Sequence, residues 1–396
     1  MRDLNAAAVW AGVTAFVWYA CGGVPLQLSV AAQLGLAAAQ TSSAVFVVWT
    51  SGALASIVLS LRTRQPLPVT WTIPGLVYLG TLGSRFPLPE IFGGVLVAAA
   101  ILLVLSLAGA GGRIMKWLPL PIVMGMFAGS ILDYLLRAVA ATVEDLAIAG
   151  SVLAGYLAAR LMASPRVPPV GAALVAGAFA VMLRGEISLE HAAWSAPELI
   201  VPAFAFDPAA IAAVSVPLVV LAMGLGNVQG LGYVLSQGYR VPVDRVSRAV
   251  ALASLANALF GAAPATVART GAAILAAPAA GDPGGRHWAV VISSALTLAL
   301  AVAAPALASL LAALPGSFVV ALAGVALVSS MQDALEKAFG GSMRFGALVA
   351  FITAATPFAL LGITSAFWAL LLGVLASLLA ERAELTKFWR AGMRVA

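Results

Sequence analysis

Residues 260–278 read FGAAPATVARTGAAILAAP, an apolar stretch holding one charge, Arg269. No acidic residue lies within ten positions of that arginine. A charge in the hydrocarbon region of a membrane is expensive and by default marks a function. Small residues and Pro264 precede it and suit no continuous helix, whereas Thr270 to Ala277 is helix-compatible. The pattern predicts an interrupted membrane segment, with a half-helix starting near mid-membrane and a cation in its first turn.

The whole chain supports a membrane setting. Of its 396 residues, 62% are hydrophobic and 9% charged, against about 25% charged in a soluble domain. Apolar runs of about 20 residues recur, the signature of spanning helices and not of barrel strands. The net charge of +6 is spread over short loops, which does not fit nucleic acid as a partner. One cysteine, Cys21, and two distant histidines, His191 and His287, suggest neither a disulfide framework nor a metal site. No cofactor is expected, no cleavable signal is read, and no polar stretch is long enough for a core of its own.

The predicted class is an all-α polytopic membrane protein with 14 segments. They fall near 8–36, 43–61, 66–84, 89–109, 117–137, 143–162 and 168–184, then 209–236, 243–261, 260–278, 288–312, 316–333, 344–361 and 363–380. Cys21-Gly22-Gly23-Val24-Pro25 predicts a kink in the first. Segment three opens with a proline-rich extended piece, and Pro74 suits the first position of a short helix. Arg184 to Asp207 is the most polar interval and reads as a linker with a short interfacial helix. A charged tail ends the chain. With both termini in the cytoplasm, 17 of the 21 basic residues fall inside. Arg85, Arg137 and Arg184 fall outside, and Arg269 lies within a span, as the positive-inside rule requires. The expected location is a bacterial inner membrane.

Fourteen divides into two sevens of opposite orientation, each with an interrupted third segment. Paired interruptions point to a midplane site between inverted repeats. Two helix N-termini meeting there would favour an anion. Arg269 adds a fork matched to a carboxylate. Thr70, Thr72, Thr266 and Thr270 offer hydroxyls, Pro74 and Gly75 shape the helix start, and Trp71 and Tyr78 offer flat faces. Asn227, Gln229 and Gln27 add amides. Each has a structural alternative: Arg269 as a brace for backbone carbonyls, Trp71 as a packing residue, Asn227 and Gln229 as interhelical hydrogen bonds, and Asp133 and Asp333 as interfacial carboxylates. No nucleophile–base pair supports an enzyme. The pattern predicts a secondary transporter of a small anion. An anion channel or a non-transporting membrane protein is the alternative from another class.

Val69-Thr70-Trp71-Thr72-Ile73-Pro74-Gly75 resembles the tryptophan-x-x-proline-glycine signature of the bacterial benzoate–proton symporter family. Gly226-Asn227-Val228-Gln229-Gly230 with Gln237 to Pro242, Asp282-Pro283 with Arg286-His287-Trp288, and Leu361 to Trp368 resemble further parts of it. The resemblance implies the seven-plus-seven inverted fold of uracil and sulfate permeases. It implies a core domain (1–110 and 208–313) moving against a gate domain (111–207 and 314–396), with substrate between segments 3 and 10. It further implies an aromatic carboxylate as substrate, protons as coupling ion, and a homodimer as a candidate assembly. Where that family carries glycine-histidine and asparagine in segment ten, this chain has Ala263 and Thr266, and Gly226 replaces its glutamine in segment eight. Val267-Ala268-Arg269-Thr270 instead resembles the anion site of sulfate permeases, which keeps an inorganic anion as the alternative substrate.

Overall fold

A computed structural model describes residues 4–109, 119–162, 167–186, 195–361 and 363–394. Arg2, Arg113, Lys116, Arg166, Glu190 and His191 lie outside the described residues. The chain begins with α1 (Ala6–Trp18), a π-helical turn (Tyr19–Gly23) and α2 (Val24–Leu34) on one path. The predicted kink at residues 21–25 is thus a widened turn. Pro25 has no N–H to close a helical bond, and a π turn absorbs the mismatch. Next come α3 (Ala38–Thr63), β1 (Val69–Trp71), α4 (Ile73–Gly80), α5 (Leu88–Leu107), α6 (Leu120–Glu144), α7 (Ala149–Met162) and α8 (Pro169–Arg184). No helix occurs over 195–207, so a linker helix is absent from the described part of that interval.

The second half opens with α9 (Pro208–Val219), a second π-helical stretch (Val220–Asn227) and α10 (Val228–Ser236). Proline again sits at the widening. Pro217 cannot donate to the Ala213 carbonyl one turn back, and the Tyr78 hydroxyl donates to that carbonyl instead, at 2.5 Å. Then follow α11 (Val243–Leu259), β2 (Ala265–Val267), α12 (Arg269–Leu275), α13 (Arg286–Val302), α14 (Ala304–Ala313), α15 (Gly316–Phe339) and α16 (Arg344–Ala355). The chain ends in a short hairpin, β3 (Ala359–Leu360) with β4 (Ile363–Thr364), then α17 (Ser365–Ala380) and α18 (Arg382–Arg394).

Several bounds differ from expectation. The run predicted over 288–312 is split at Ala303, ahead of Pro305. The run over 344–361 stops at Ala355, before Pro357, and turns into the hairpin. The charged tail is helical and bends 108° away from α17. Six described helical paths are long and apolar enough to cross a membrane, or seven if α17 and α18 count as one. Four shorter apolar helices, α7, α8, α13 and α16, accompany them.

The chain is not wholly helical, because β1 and β2 pair as an antiparallel ribbon. Val69 faces Val267, Thr70 faces Thr266 and Trp71 faces Ala265. Two further bonds extend it: Thr72 N–H to the Pro264 carbonyl and Ala268 N–H to the Pro68 carbonyl, both 2.9 Å. Buried backbone must be paired, and the two edges are closed in matching ways. Ser56 of α3 accepts from Val69 N–H at 2.7 Å, and Ser254 of α11 accepts from Ala265 N–H at 2.9 Å. Around the ribbon α3 packs on α13 and α11, α5 on α9 and α11, and α1 on α13. A second set joins α6 to α15 and α16, α16 to α17, and α7 to α8.

Candidate functional site

The ribbon brings together two short helices, which start at its opposite ends. Antiparallel pairing puts the start of α4 beside Pro264 and the start of α12 beside Pro68. Four residue steps, Pro68 to Thr72, separate these levels, about 13 Å at strand rise. The two helix starts thus lie at two ends of one ribbon, with different chemistry at each.

At the α4 end, Trp71 is buried and stacks on Trp49, ring centroids 5.0 Å apart. The Trp49 indole N–H donates to Gln27 at 2.6 Å, which occupies that amide oxygen. The Trp71 Nε1 is buried and has no hydrogen-bond partner among the described residues. Trp71 lines a small apolar cavity with Gln27, Val48, Leu76, Leu79 and Ala263. Thr72 is fully buried and caps α4, its hydroxyl accepting from Gly75 N–H at 3.3 Å. Pro74 sits in the first turn, where a missing N–H costs nothing. A side chain on Gly75 would run into the Thr72 methyl. Beyond this turn Tyr78 contacts Ala213 and, at 2.9 Å, the Thr364 hydroxyl. A cavity of about 480 Å³ opens past it, lined by Gln33, Tyr78, Arg85, Ser130, Tyr134 and Arg137 among others.

At the α12 end, Asn227 pins β2 to the second π-helical stretch. Its side-chain oxygen accepts from Val267 N–H at 2.9 Å and from the Thr266 hydroxyl at 3.1 Å. Gly226 and Gly230 leave room for this approach: a Cβ on the first would overlap the Thr266 hydroxyl, and on the second the Val267 carbonyl. Gln229 points elsewhere, toward the Met124 sulfur of α6 at 3.9 Å. Thr70 and Thr266 face each other across the ribbon, and Thr270 is half-buried in the first turn of α12.

Arg269 does not stand alone. Its guanidinium pairs with Asp333 of α15, and the same carboxylate oxygen takes the Lys337 ammonium at 2.9 Å. The Arg269 side chain is 47% exposed, so it is not a buried, unpartnered cation. No local sequence signal announces a partner 64 residues further on.

Residues 2–379 match the model of the benzoate membrane transport protein family, BenE. The chain belongs to that family. Inner membrane protein YdcO of Escherichia coli (strain K12) is 29% identical over 356 residues, covering 88% of this chain and 90% of that protein. The benzoate membrane transport protein of Acinetobacter baylyi (strain ATCC 33305 / BD413 / ADP1) is 25% identical over 379 residues, 95% of each chain. Among solved structures, the transmembrane domain of the cyanobacterial bicarbonate transporter BicA superposes with a TM-score of 0.60 at 17% identity, covering 94% of this chain and 96% of that one. Murine Slc26a9, an anion transporter in the inward-facing state, gives 0.59 at 15% identity, with 97% and 69% covered. The protein is thus a multi-pass membrane transporter of the BenE family, on a fold shared with those anion transporters.

One signal in this BenE-family chain is easy to miss. Pro68-Val69-Thr70-Trp71-Thr72-Ile73-Pro74-Gly75 and Pro264-Ala265-Thr266-Val267-Ala268-Arg269-Thr270-Gly271 share proline, threonine and glycine at the same spacing. The two threonines face each other at the centre of the ribbon, and each proline carbonyl accepts the bond that extends it at one end. The glycines differ in what they admit: a Cβ at Gly271 would overlap the buried Tyr19 hydroxyl of the first π turn.

Proposed function

We propose that this protein carries a small organic anion across the bacterial inner membrane, an aromatic carboxylate of the benzoate kind, with the proton as coupling ion. The observation that carries the reading is the ribbon's polarity. It has a buried, unpaired indole N–H beside an apolar cavity at one end and a guanidinium at the other. An aromatic carboxylate calls for both kinds of surface, an apolar one for its ring and a cation for its charge; the ribbon's ends lie farther apart than one benzoate, so the substrate meets them in turn. The A. baylyi relative is named for benzoate transport, which supports the ring. BicA is named for bicarbonate, which supports an anion on this fold. Trp71, Thr72, Pro74, Gly75 and Tyr78 would serve the ring side. Arg269 and Thr270 would serve the charge, with Thr70 and Thr266 between them. Asn227, Gln229 and Gln27 hold the surroundings.

In this reading the chain makes 14 segments in two inverted sets of seven, with both termini cytoplasmic. Each strand with its short helix forms one interrupted segment. The core (1–110 and 208–313) then slides against the gate (111–207 and 314–396), carrying the ribbon with it. Uptake of labelled benzoate, uracil, sulfate and bicarbonate into proteoliposomes, with and without a pH gradient, tests the assignment. Saturable benzoate uptake driven by the gradient is expected. Arg269→Ala is expected to lower it more than tenfold. Arg269→Lys should restore only part, because an ammonium keeps the charge and loses the fork. Uptake of sulfate in place of benzoate, or unchanged benzoate uptake by Arg269→Ala, would refute the assignment.

A further inference from the structure

The pairing of Arg269 carries more than a place in the fold. Arg269 opens α12, directly after the ribbon, whereas Asp333 and Lys337 lie one turn apart on α15. One carboxylate oxygen of Asp333 serves both cations. The three groups therefore hold two positive charges and one negative, leaving a cation in surplus. Removing one partner of an ion pair normally strands the other charge at a cost. Here that cost is avoided, because Lys337 stays on Asp333 if Arg269 leaves. Lysine is a point charge and arginine a planar fork, so the fork is the better partner for an incoming planar carboxylate. The group now on Arg269 is itself a carboxylate.

We infer that Asp333 occupies, in the substrate-free protein, the position on Arg269 that a carboxylate substrate takes, so that substrate displaces it and unfastens α12 from α15. This rests on the carboxylate reading above and adds Asp333 and Lys337 to it. Lys337 is the stand-in that keeps Asp333 neutralised once Arg269 turns to substrate. The loaded ribbon then moves as a neutral pair, while the empty ribbon stays tied by its own cation. The accessible side agrees. Register puts Arg269 at the ribbon end away from α4, whereas the cavity of about 480 Å³ lies beyond α4, past Tyr78 and Arg85. The ion pair thus fastens one end of the ribbon, and the cavity lies beyond the other.

The test is thiol labelling of the full-length protein in nanodiscs, where both faces meet the reagent. Cys21→Ala removes the native thiol, and Ser130→Cys places a reporter in the cavity wall. A water-soluble maleimide reads its exposure, with sodium benzoate as the probe. The substrate-free parent is expected to label fastest, and benzoate to slow it. Asp333→Asn should slow labelling roughly two- to fivefold without benzoate, the range of a part-exposed ion pair, and benzoate should add little. The exchange Arg269→Asp with Asp333→Arg should restore fast labelling that benzoate no longer changes, which also guards against a variant that merely misfolds. Lys337→Gln should raise the benzoate concentration needed. If Asp333→Asn labels like the parent and keeps its benzoate response, the displacement idea is overturned while the transport reading stands. If Asp333→Asn slows labelling but no carboxylate affects the parent, the ion pair is a latch without a carboxylate trigger, and the substrate reading fails with the inference.

Discussion

The two short helices that leave the ribbon share a Pro-x-Thr-x-x-x-x-Gly frame and start in opposite environments. At α4 the helix start is sealed. Thr72 caps it, Trp71 stacks on Trp49, and no charged side chain lines the adjoining cavity among the described residues. At α12 no side chain caps the start, and its first residue is a half-exposed arginine tied to another helix. A sealed start suits a fixed surface against which an apolar ring packs. A start held by an ion pair suits a contact that opens and closes. Two strand–helix units of one frame thus share a scaffold and differ in what holds their helix starts.

Changes behind each strand break the comparison most strongly. Gly230 of α10 lies against the Val267 carbonyl, and Gly52 of α3 lies against the paired Val69 carbonyl, where a Cβ would sit 2.9 Å away. The Gly230 approach is the tighter one, and its obstacle is backbone. Gly230→Ala is therefore expected to destabilise by about 1–3 kcal/mol through overpacking. Gly52→Ala should cost less. Gly232→Ala, with nothing within 4 Å, should be neutral or slightly stabilising. Thermal unfolding of the three variants in detergent gives the order, and equal shifts for Gly230 and Gly232 would show that the ribbon is not clamped as described.

How much of this was legible in the sequence differs between the two ends as well. The polytopic helical class and the family follow from hydropathy and from the motif at 69–75, because membrane burial imposes long apolar runs. Strand pairing was legible only through the repeated frame at 68–75 and 264–271, which becomes visible once the ribbon supplies the alignment. The sealed end was half-written: Thr72, Pro74 and Gly75 form a recognisable helix start, but Trp49 and Gln27, which fix Trp71, lie 22 and 44 residues upstream. The charged end was misleading. An apolar neighbourhood made Arg269 look unpartnered, because a sequence window cannot see Asp333 on another helix. The widened turns at Tyr19–Gly23 and Val220–Asn227 left only Pro25 and Pro217 as traces, since a short i→i+5 stretch inside a run that is apolar on nearly every face shifts no visible pattern.

A smaller change sharpens the contrast by making the sealed start resemble the open one. Thr72→Ala removes the side-chain acceptor for Gly75 N–H and gives α4 the alanine that Ala268 supplies to α12. Loss of a threonine cap costs about 1 kcal/mol. Thr72→Ser keeps the oxygen and should recover most of that in thermal unfolding. Benzoate affinity, measured by calorimetry, should fall with Thr72→Ala, because Trp71 immediately precedes the cap. An affinity unchanged by Thr72→Ala would detach the cap from the site.

The smallest effect is expected at a third helix start, which shows what a permanent electrostatic cap looks like beside the exchangeable one at Arg269. The first amides of α16 are held from the junction of α17 and α18. Phe345 and Gly346 donate to the Glu381 carboxylate at 2.8 and 3.0 Å, Ser377 adds its hydroxyl at 2.8 Å, and Met343 N–H donates to Glu384 at 2.5 Å. Burial alone would raise the Glu381 carboxyl. The amides of Gly346 and Phe345, with Ser377 and Arg344, outweigh it and hold the group below the usual glutamate value. A carboxyl depressed in the folded state stabilises the charged form. That stabilisation is complete above the ordinary glutamate value of about 4.3 and is lost as pH falls through the lower folded value. Glu381→Gln is expected to cost about 0.3–1 kcal/mol at neutral pH, the scale of a charge at a helix N-terminus. The gap from wild type should close on acidification, because a protonated Glu381 and a glutamine are then equally neutral. A melting-temperature difference that stayed constant between pH 7 and pH 3 would mean that the cap works by shape. The distinction drawn from Arg269 would then lose its reference, since the paired starts would differ in exposure and not in the kind of force that holds them.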